Sequence, residues 1–555
     1  MPFYIIHKYR IVFADYDNAY KLVWPLLTAK YIQTYDGNWC RAPNEIDTRL
    51  KFIVSYLIER FESLVRELPS ASFFMFVHLN NDQLTHLYND QLAGYEINHE
   101  ILSKDDIALE RRVYKVIIEQ YVKFHLYHEN FIEKDIKDNV DEYEKRLGEL
   151  LYLGCKIYMI ISWIAENNFY PGCLEIGIIE NGEFGIKEDS PFRIIHNANL
   201  TDLKRHHFNV ELRNIVPELR TAIHKSFGVV YGEALGAILY DNAIGDFSYM
   251  NLLPHINDIA IQLGCDPIML KRFFDGLTLS EANALGVEDS FLRSQSNTRF
   301  IYRPILELNI NGNKVHKLSR VKLNESITTL TTNAIPYGHS PKEWLSFRTY
   351  RQFEGKIMNT QDKVLQEPMC LLLNNHGLIF DHSVETLRTT NKSRNINILK
   401  DPGEIDIVFI KDNIVGVGIT MFICECKNNR LRTDMQSWAR DYSNFKESYE
   451  QQLDRKVNWA RQNTSELLTH LELKKGLEMG FLTGKHCYVS GLFLINPPTL
   501  YMYDGLYEVF TMTSFEEFLK GNFTRITFDL EDEETGKHVL VSYPYYRNLK
   551  VLPII

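Results

Sequence analysis

The stretch PGEIDIVFIKDNIVGVGITMFICECK, Pro402 to Lys427, decides how the second half of this chain folds. Ile405 to Ile410 is a short apolar run opened by Pro402-Gly403, and Lys411-Asp412-Asn413 has the composition of a turn. Ile414 to Lys427 then reads as one long strand, or as a strand with an insertion at its two glycines. Side chains on a strand alternate between faces, so Glu425 and Lys427 share one face while Cys424 and Cys426 take the other. A charge set against an apolar core is costly unless it is paired, so both groups need partners. A hairpin through 411–413 returns the start of the first strand to the end of the second and sets Asp406 beside Glu425. Two carboxylates there offer oxygen ligands suited to Mg2+ or Mn2+. Such an ion would lower the pKa of a bound water and stabilise phosphoryl oxygens, with Lys427 placed to orient that water or neutralise developing charge. Glu404, two residues before Asp406, reads as a supporting or surface acid. Glu-x-Lys alone carries no weight, since it recurs at Glu354–Lys356 and Glu472–Lys474 in helix-like surroundings. The signal is the conjunction of the two strands and their acids.

Working outward, Ser346 to Gln366 reads as a helix, Arg432 to Gln462 as a long polar-faced helix, and Lys485 to Asn496 as a further strand. The order helix, strand, strand, helix, strand predicts an α/β sandwich with a mixed sheet. With its PGEID and ICECK segments so placed, the region 344–520 resembles the PD-(D/E)XK nuclease superfamily, which has the restriction-endonuclease-like fold. That resemblance implies a metal-dependent endonuclease, a phosphodiester hydrolase, with Asp406, Glu425 and Lys427 catalytic and Asp406 and Glu425 holding Mg2+ or Mn2+. It also implies a Glu on the preceding helix, a place that Glu354 fits. A Gln or Tyr on the following helix is implied too, for which Gln451, Gln452 beside Tyr449, and Gln436 are candidates. DNA is the implied substrate, because the superfamily mostly cuts DNA. Arg388, Lys392, Arg394 and Lys400 form a run without an acid, and Arg430 and Arg432 follow the Glu-Cys-Lys strand. All six are candidate phosphate contacts, against the bland reading of solvated loops.

The first 340 residues read mainly as helices, at 45–68, 107–127, 140–168, 208–226, 251–263 and 267–275. SFFMFVHL, Ser72 to Leu79, looks like a lone strand. In 300–322 the dipeptide Asn311-Gly312 separates two strand-like runs, a strong hairpin signal. The expected organisation is therefore a mainly helical region 1–340 that recognises or regulates, followed by an α/β domain over 341–555.

The chain has 555 residues, 45% apolar and 24% charged, with a net charge of −11. This is the profile of a multidomain globular protein, and neither half is a basic nucleic-acid glove. The eight cysteines contain no Cys-x-x-Cys pair, which argues against a zinc ribbon and for buried thiols in a reducing cytoplasm. The first residues lack a secretory signal, and the apolar stretch Leu150–Ala165 is too short for a membrane span and reads as a core helix. His125, His128, His206 and His207 lack metal-ligand partners in sequence. Asn375-His376 with His382 lacks a ββα-metal pattern, and Gly480 to Lys485 is one residue short of a phosphate-binding loop. The functional expectation is a cytoplasmic, DNA-cleaving nuclease, laid out like microbial defence or mobile-element proteins by analogy alone. A homo-oligomer or a protein partner held through the helical region fits the same layout. The alternatives are an RNA-cleaving effector, a nuclease silenced by its acidic first half, and a non-catalytic interaction protein.

Overall fold

The computed structural model describes residues 3–6, 9–68, 70–92, 104–128, 133–169, 171–188, 215–241, 252–293, 295–391, 394–412, 418–430, 435–497, 499–522, 527–531 and 538–542. Its described residues form two compact units, one running through Ile357 and one starting at Met358.

The first unit is mainly helical. Its leading helices are α1 (Asn18–Tyr35), α2 (Pro43–Glu67), α3 (Ala71–Leu92), α4 (Lys104–Phe124) and α5 (Val140–Phe169). Helices α2, α4 and α5 pack through Leu57, Phe61, Val113, Ile117, Leu150 and Ile157, all withdrawn from solvent. Gly154 permits the close approach of α4 to α5, since a Cβ there would lie 2.2 Å from Val113 Cγ1. Residues 72–79 are helical within α3, not a strand. Phe73, Phe74, Met75, Phe76 and Val77 are all buried, so helical periodicity is erased, and a short apolar run alone cannot tell strand from buried helix. Helix α5 is long and apolar enough to cross a membrane by length and composition, which Leu150–Ala165 alone was not, and 72% of that apolar window is buried within the fold.

Four helices follow: α6 (Val216–Phe227), α7 (Tyr231–Asp241), α8 (Leu252–Leu263) and α9 (Pro267–Asp275). Residues 208–214 of the expected helix 208–226 lie outside the described residues. The predicted hairpin is present as β1 (Ile305–Ile310) and β2 (Asn313–Lys317). Asn311 and Gly312 turn it at φ 52° and 76°, the conformation that favours this dipeptide. Helix α10 (Arg320–Asn333) comes next. Trp344, Tyr350 and Ile357 then join the apolar core formed around Phe227, Leu270 and Phe273. The Trp344 indole donates to the Phe273 carbonyl at 2.9 Å and stacks on its ring at 5.6 Å. The units therefore divide inside helix α11 (Arg348–Asn375), later than the boundary expected at 340/341.

The second unit is built on a five-stranded mixed sheet. Its strands are β3 (Ile379–Val384), β4 (Ile405–Asp412), β5 (Ile419–Lys427), β6 (Cys487–Ile495) and β7 (Glu508–Thr511), in the order β7-β6-β5-β4-β3. Strands β3, β4 and β5 pair antiparallel, whereas β5, β6 and β7 pair parallel. Strands β3 and β7 extend the sheet beyond the three strands expected. Lys411 and Asp412 continue β4, opposite Thr420 and Ile419, instead of turning; residues 413–417 lie outside the described set. Between β5 and β6 runs the long crossover that a parallel pair requires: α12 (Met435–Asn444), a π-helical turn (Phe445–Tyr449), α13 (Glu450–Gln462) and α14 (Thr464–Lys475). Helix α15 (Met512–Lys520) follows β7. One face of the sheet, with Ile407, Phe409, Cys424 and Cys426, packs on Leu365, Met369 and Phe515. Helix α13 packs on β5 and β6, where Gly491 leaves room for Val457.

Candidate active site

The register of β4 against β5 ends at Ile407 opposite Cys424. One step further the same register sets Asp406 opposite Glu425, and directly opposed residues project from the same side of a sheet. The ladder is replaced there by a side chain: the Cys426 N–H donates to Asp406 Oδ2 at 2.7 Å. The acids are thus joined across two central strands, although 18 residues lie between them in sequence.

Two ammonium groups meet the pair, and two further side chains hold one of them. Lys427 Nζ donates to Glu425 Oε1 at 2.7 Å and to Gln452 Oε1 at 3.2 Å, and lies 4.6 Å from the Tyr449 ring centroid. Lys456 Nζ donates to Glu425 Oε2 and stands 3.6 Å from Asp406 Oδ1. Gln452 and Lys456 are four apart on α13 and so share the helix face turned to the sheet. The π-helical turn places Tyr449 just before them; such turns recur at functional sites. Lys456 is the principal residue missed by sequence reasoning. Its signal was the spacing to Gln452 on a helix whose Leu453 and Val457 mark the buried side.

The Asp406, Glu425, Lys427 and Lys456 side chains are between 6 and 14% exposed. Burial, then the neighbouring Glu425 charge, pushes the Asp406 carboxyl up to about 7, against the opposing pull of Lys456. For Glu425 burial also acts upward, but the two ammonium groups outweigh it and hold the carboxyl below its ordinary range. The pair therefore divides into one firmly ionised acid and one acid that readily holds a proton, the behaviour of coupled carboxylates in a shared low-dielectric site.

Scans against protein-family models, curated proteins and solved structures find no match to this chain.

Glu354 belongs to the first unit, where it is buried and its Oε1 accepts the Ser340 N–H at 3.1 Å. Gln451 is exposed and Gln436 half-buried, so of the three glutamines Gln452 is the one held by Lys427. Arg388, Arg394 and Lys400 are exposed, as a solvated or phosphate-facing run requires. The Arg388 N–H is bonded to His470 Nδ1 at 2.8 Å, and His470 in turn meets Asp381 at 2.9 Å, a tie between α14 and the segment after β3. Arg430 is only 3% exposed, which removes it from the accessible phosphate contacts. Lys392 and Arg432 lie outside the described residues.

A divalent cation can be tested against these groups. Among the described residues no three His, Cys, Asp or Glu side chains converge at metal-binding spacing, so acid donors number two. Both are oxygen donors of the hard type that Mg2+ and Mn2+ take. The flank they share already selects a cation, the Lys456 ammonium. Glu404, expected as a supporting or surface acid, is half-buried, and its Oε1 is shut from solvent with no hydrogen-bond partner among the described residues. The residue set fits a hard divalent ion on condition that Lys456 withdraws.

Proposed function

We propose that the second unit is a divalent-metal-dependent nuclease of the PD-(D/E)XK type that hydrolyses phosphodiester bonds, with DNA as substrate and the first unit in recognition or regulation. The observation that carries this reading is the convergence of Asp406, Glu425 and Lys427 at the end of two central strands of a mixed sheet. Asp406 and Glu425 would hold the ion, and Mg2+ or Mn2+ bound there would supply an acidified water and charge stabilisation at the phosphoryl oxygens. Lys427 is restrained by Glu425, Gln452 and the Tyr449 ring, so its ammonium is a pre-oriented positive charge beside the carboxylates, and preorganised charge is what stabilises developing charge most effectively. The Cys426 N–H fixes the rotamer of Asp406 and so aims its other oxygen, Oδ1, at the side of the site where Lys456 Nζ stands.

The test is cleavage of plasmid DNA and of labelled RNA by the full chain across a metal series. DNA cleavage that needs Mg2+ or Mn2+ and falls by a factor on the order of 10² or more in Glu425→Gln, Asp406→Asn and Lys427→Ala supports the reading. RNA cleavage with the same dependence assigns RNA as substrate. A second reading, a non-catalytic ion cluster, is favoured by one observation: Lys456 and Lys427 together occupy both oxygens of Glu425. Absence of cleavage with every metal and both substrates decides for it.

A further inference from the structure

We infer that α8 and α9 form a helix–turn–helix whose second helix docks in the major groove of duplex DNA. Only three residues, Gly264, Cys265 and Asp266, join the two helices. Gly264 sits at φ 62°, a left-handed conformation that stops α8 within one residue. Asp266 starts α9 at once: its Oδ1 accepts the Ile268 N–H at 2.8 Å, and Pro267 fills the first helical position. Ile256, Ile259 and Ala260 of α8 are buried in one core with Leu270, Phe273 and Phe274 of α9. Two short amphipathic helices, a tight turn with a glycine and a shared core are the construction of the DNA-binding helix–turn–helix.

The outer stripe of α9 decides the partner. Ile268, Lys271 and Arg272 fall at i, i+3 and i+4 and therefore line one face. All three are exposed, Ile268 by 65%. Lysine and arginine reach guanine edges and phosphates, and an isoleucine beside them meets thymine methyl groups, a combination suited to base edges. Lys271 meets Asp275 at 2.9 Å on the next turn, an exposed pair that a phosphate can replace. The Arg272 guanidinium lies 5.7 Å from the Phe347 ring. A second hairpin gives an internal comparison. Helices α6 and α7 are joined by Gly228, at φ 68°, Val229 and Val230. Yet the described outer face of α7 presents Gly232, Glu233 and Gly236, with no cation. The positive stripe therefore distinguishes α9 from α7. Helix α6, packed on α9, adds exposed Arg220 and Lys225 as phosphate contacts.

This docking surface does not rest on the carboxylate site, and the experiment separates the two. Binding of the full chain to a short labelled duplex is followed by fluorescence anisotropy, in EDTA, over a salt series. EDTA removes the divalent ions that the proposed cleavage needs, so the anisotropy reads docking and not hydrolysis. Lys271→Ala/Arg272→Ala should bind at least about tenfold more weakly and lower the salt slope by roughly two. Ile268→Glu should weaken binding in the same direction, while Glu233→Ala should not weaken it. All four positions are exposed, and thermal melts monitored by circular dichroism confirm that the variants fold. The inference is overturned by absence of duplex binding at low salt, or by wild-type affinity in the double variant. Tighter binding of single-stranded RNA through the same two residues also overturns it.

Discussion

At the scale of single residues, the decisive group is one that the strand pattern could not announce. Asp406, Glu425 and Lys427 were legible because strand alternation and one hairpin fix which side chains meet. Lys456 was not, because a lysine on a polar-faced helix is ordinarily solvated, and only tertiary packing turns it inward. Its removal leaves two buried acids with a single ammonium. Lys456→Met should therefore lower the stability of the metal-free protein by about 3 kcal/mol. Under the nuclease reading, Mg2+ or Mn2+ should raise the melting temperature of the variant more than that of wild type. Calorimetry in EDTA and along a metal titration reads both effects, and an unchanged melting point in EDTA would show that Lys456 is dispensable. The acids also set a pH dependence. With Asp406 pushed up to about 7, the folded state keeps a proton that the unfolded chain has already released above its ordinary value of 3.8. The folded state then binds more protons, so this contribution to stability falls as pH rises from about 4 to about 7. Glu425, held low, acts in the opposite sense and only as pH drops below its ordinary range. Asp406→Asn should flatten the decline in unfolding free energy between about pH 5 and pH 7, measured by urea titration without metal.

At the scale of elements, what the sequence made visible depended on whether burial left a periodic trace. Strands β4, β5 and β6 are long and apolar and were recognised. The run 72–79 misled because α3 is surrounded there on most sides, so polar spacing vanished. Strand β3 carries Asp381, His382 and Ser383, and β7 has four residues; neither offers the alternation that marks a half-buried strand. Lys411 and Asp412 were read as part of a turn because a charged pair at a strand end resembles one, yet both continue the ladder. The fit of α13 on the sheet depends on Gly491. A Cβ there would lie 2.7 Å from Val457 Cγ2 and 2.8 Å from Tyr507 Cε1. Gly491→Ala should cost about 1–3 kcal/mol through overpacking and shift the helix that carries Gln452 and Lys456. A lowered denaturation midpoint together with altered Tyr507 signals would show it, whereas an unchanged midpoint would mean that the helix yields freely.

At the scale of the whole molecule, the division into units was the least legible feature. Asn311-Gly312 marks a hairpin turn correctly, but a turn does not end a core. Because the units divide within a continuous helix, no linker composition was there to be read. Trp344, Tyr350 and Ile357 are buried among residues of the first unit, so a fragment beginning at residue 341 carries them stripped of their partners. That fragment should bind a hydrophobic dye and aggregate, with red-shifted tryptophan emission, more than one beginning at 358. Equal solubility of the two would contradict the division. The topology of the sheet also has a consequence in time. Strands β4 and β5 are neighbours along the chain, whereas β5 and β6 are separated by the whole crossover from α12 to α14. Short closures cost less entropy than long ones, so during refolding the carboxylates of the hairpin come together before the ammonium of α13 reaches them. The nascent ribbon must tolerate like charges side by side, and its assembly should quicken when electrolyte shields them.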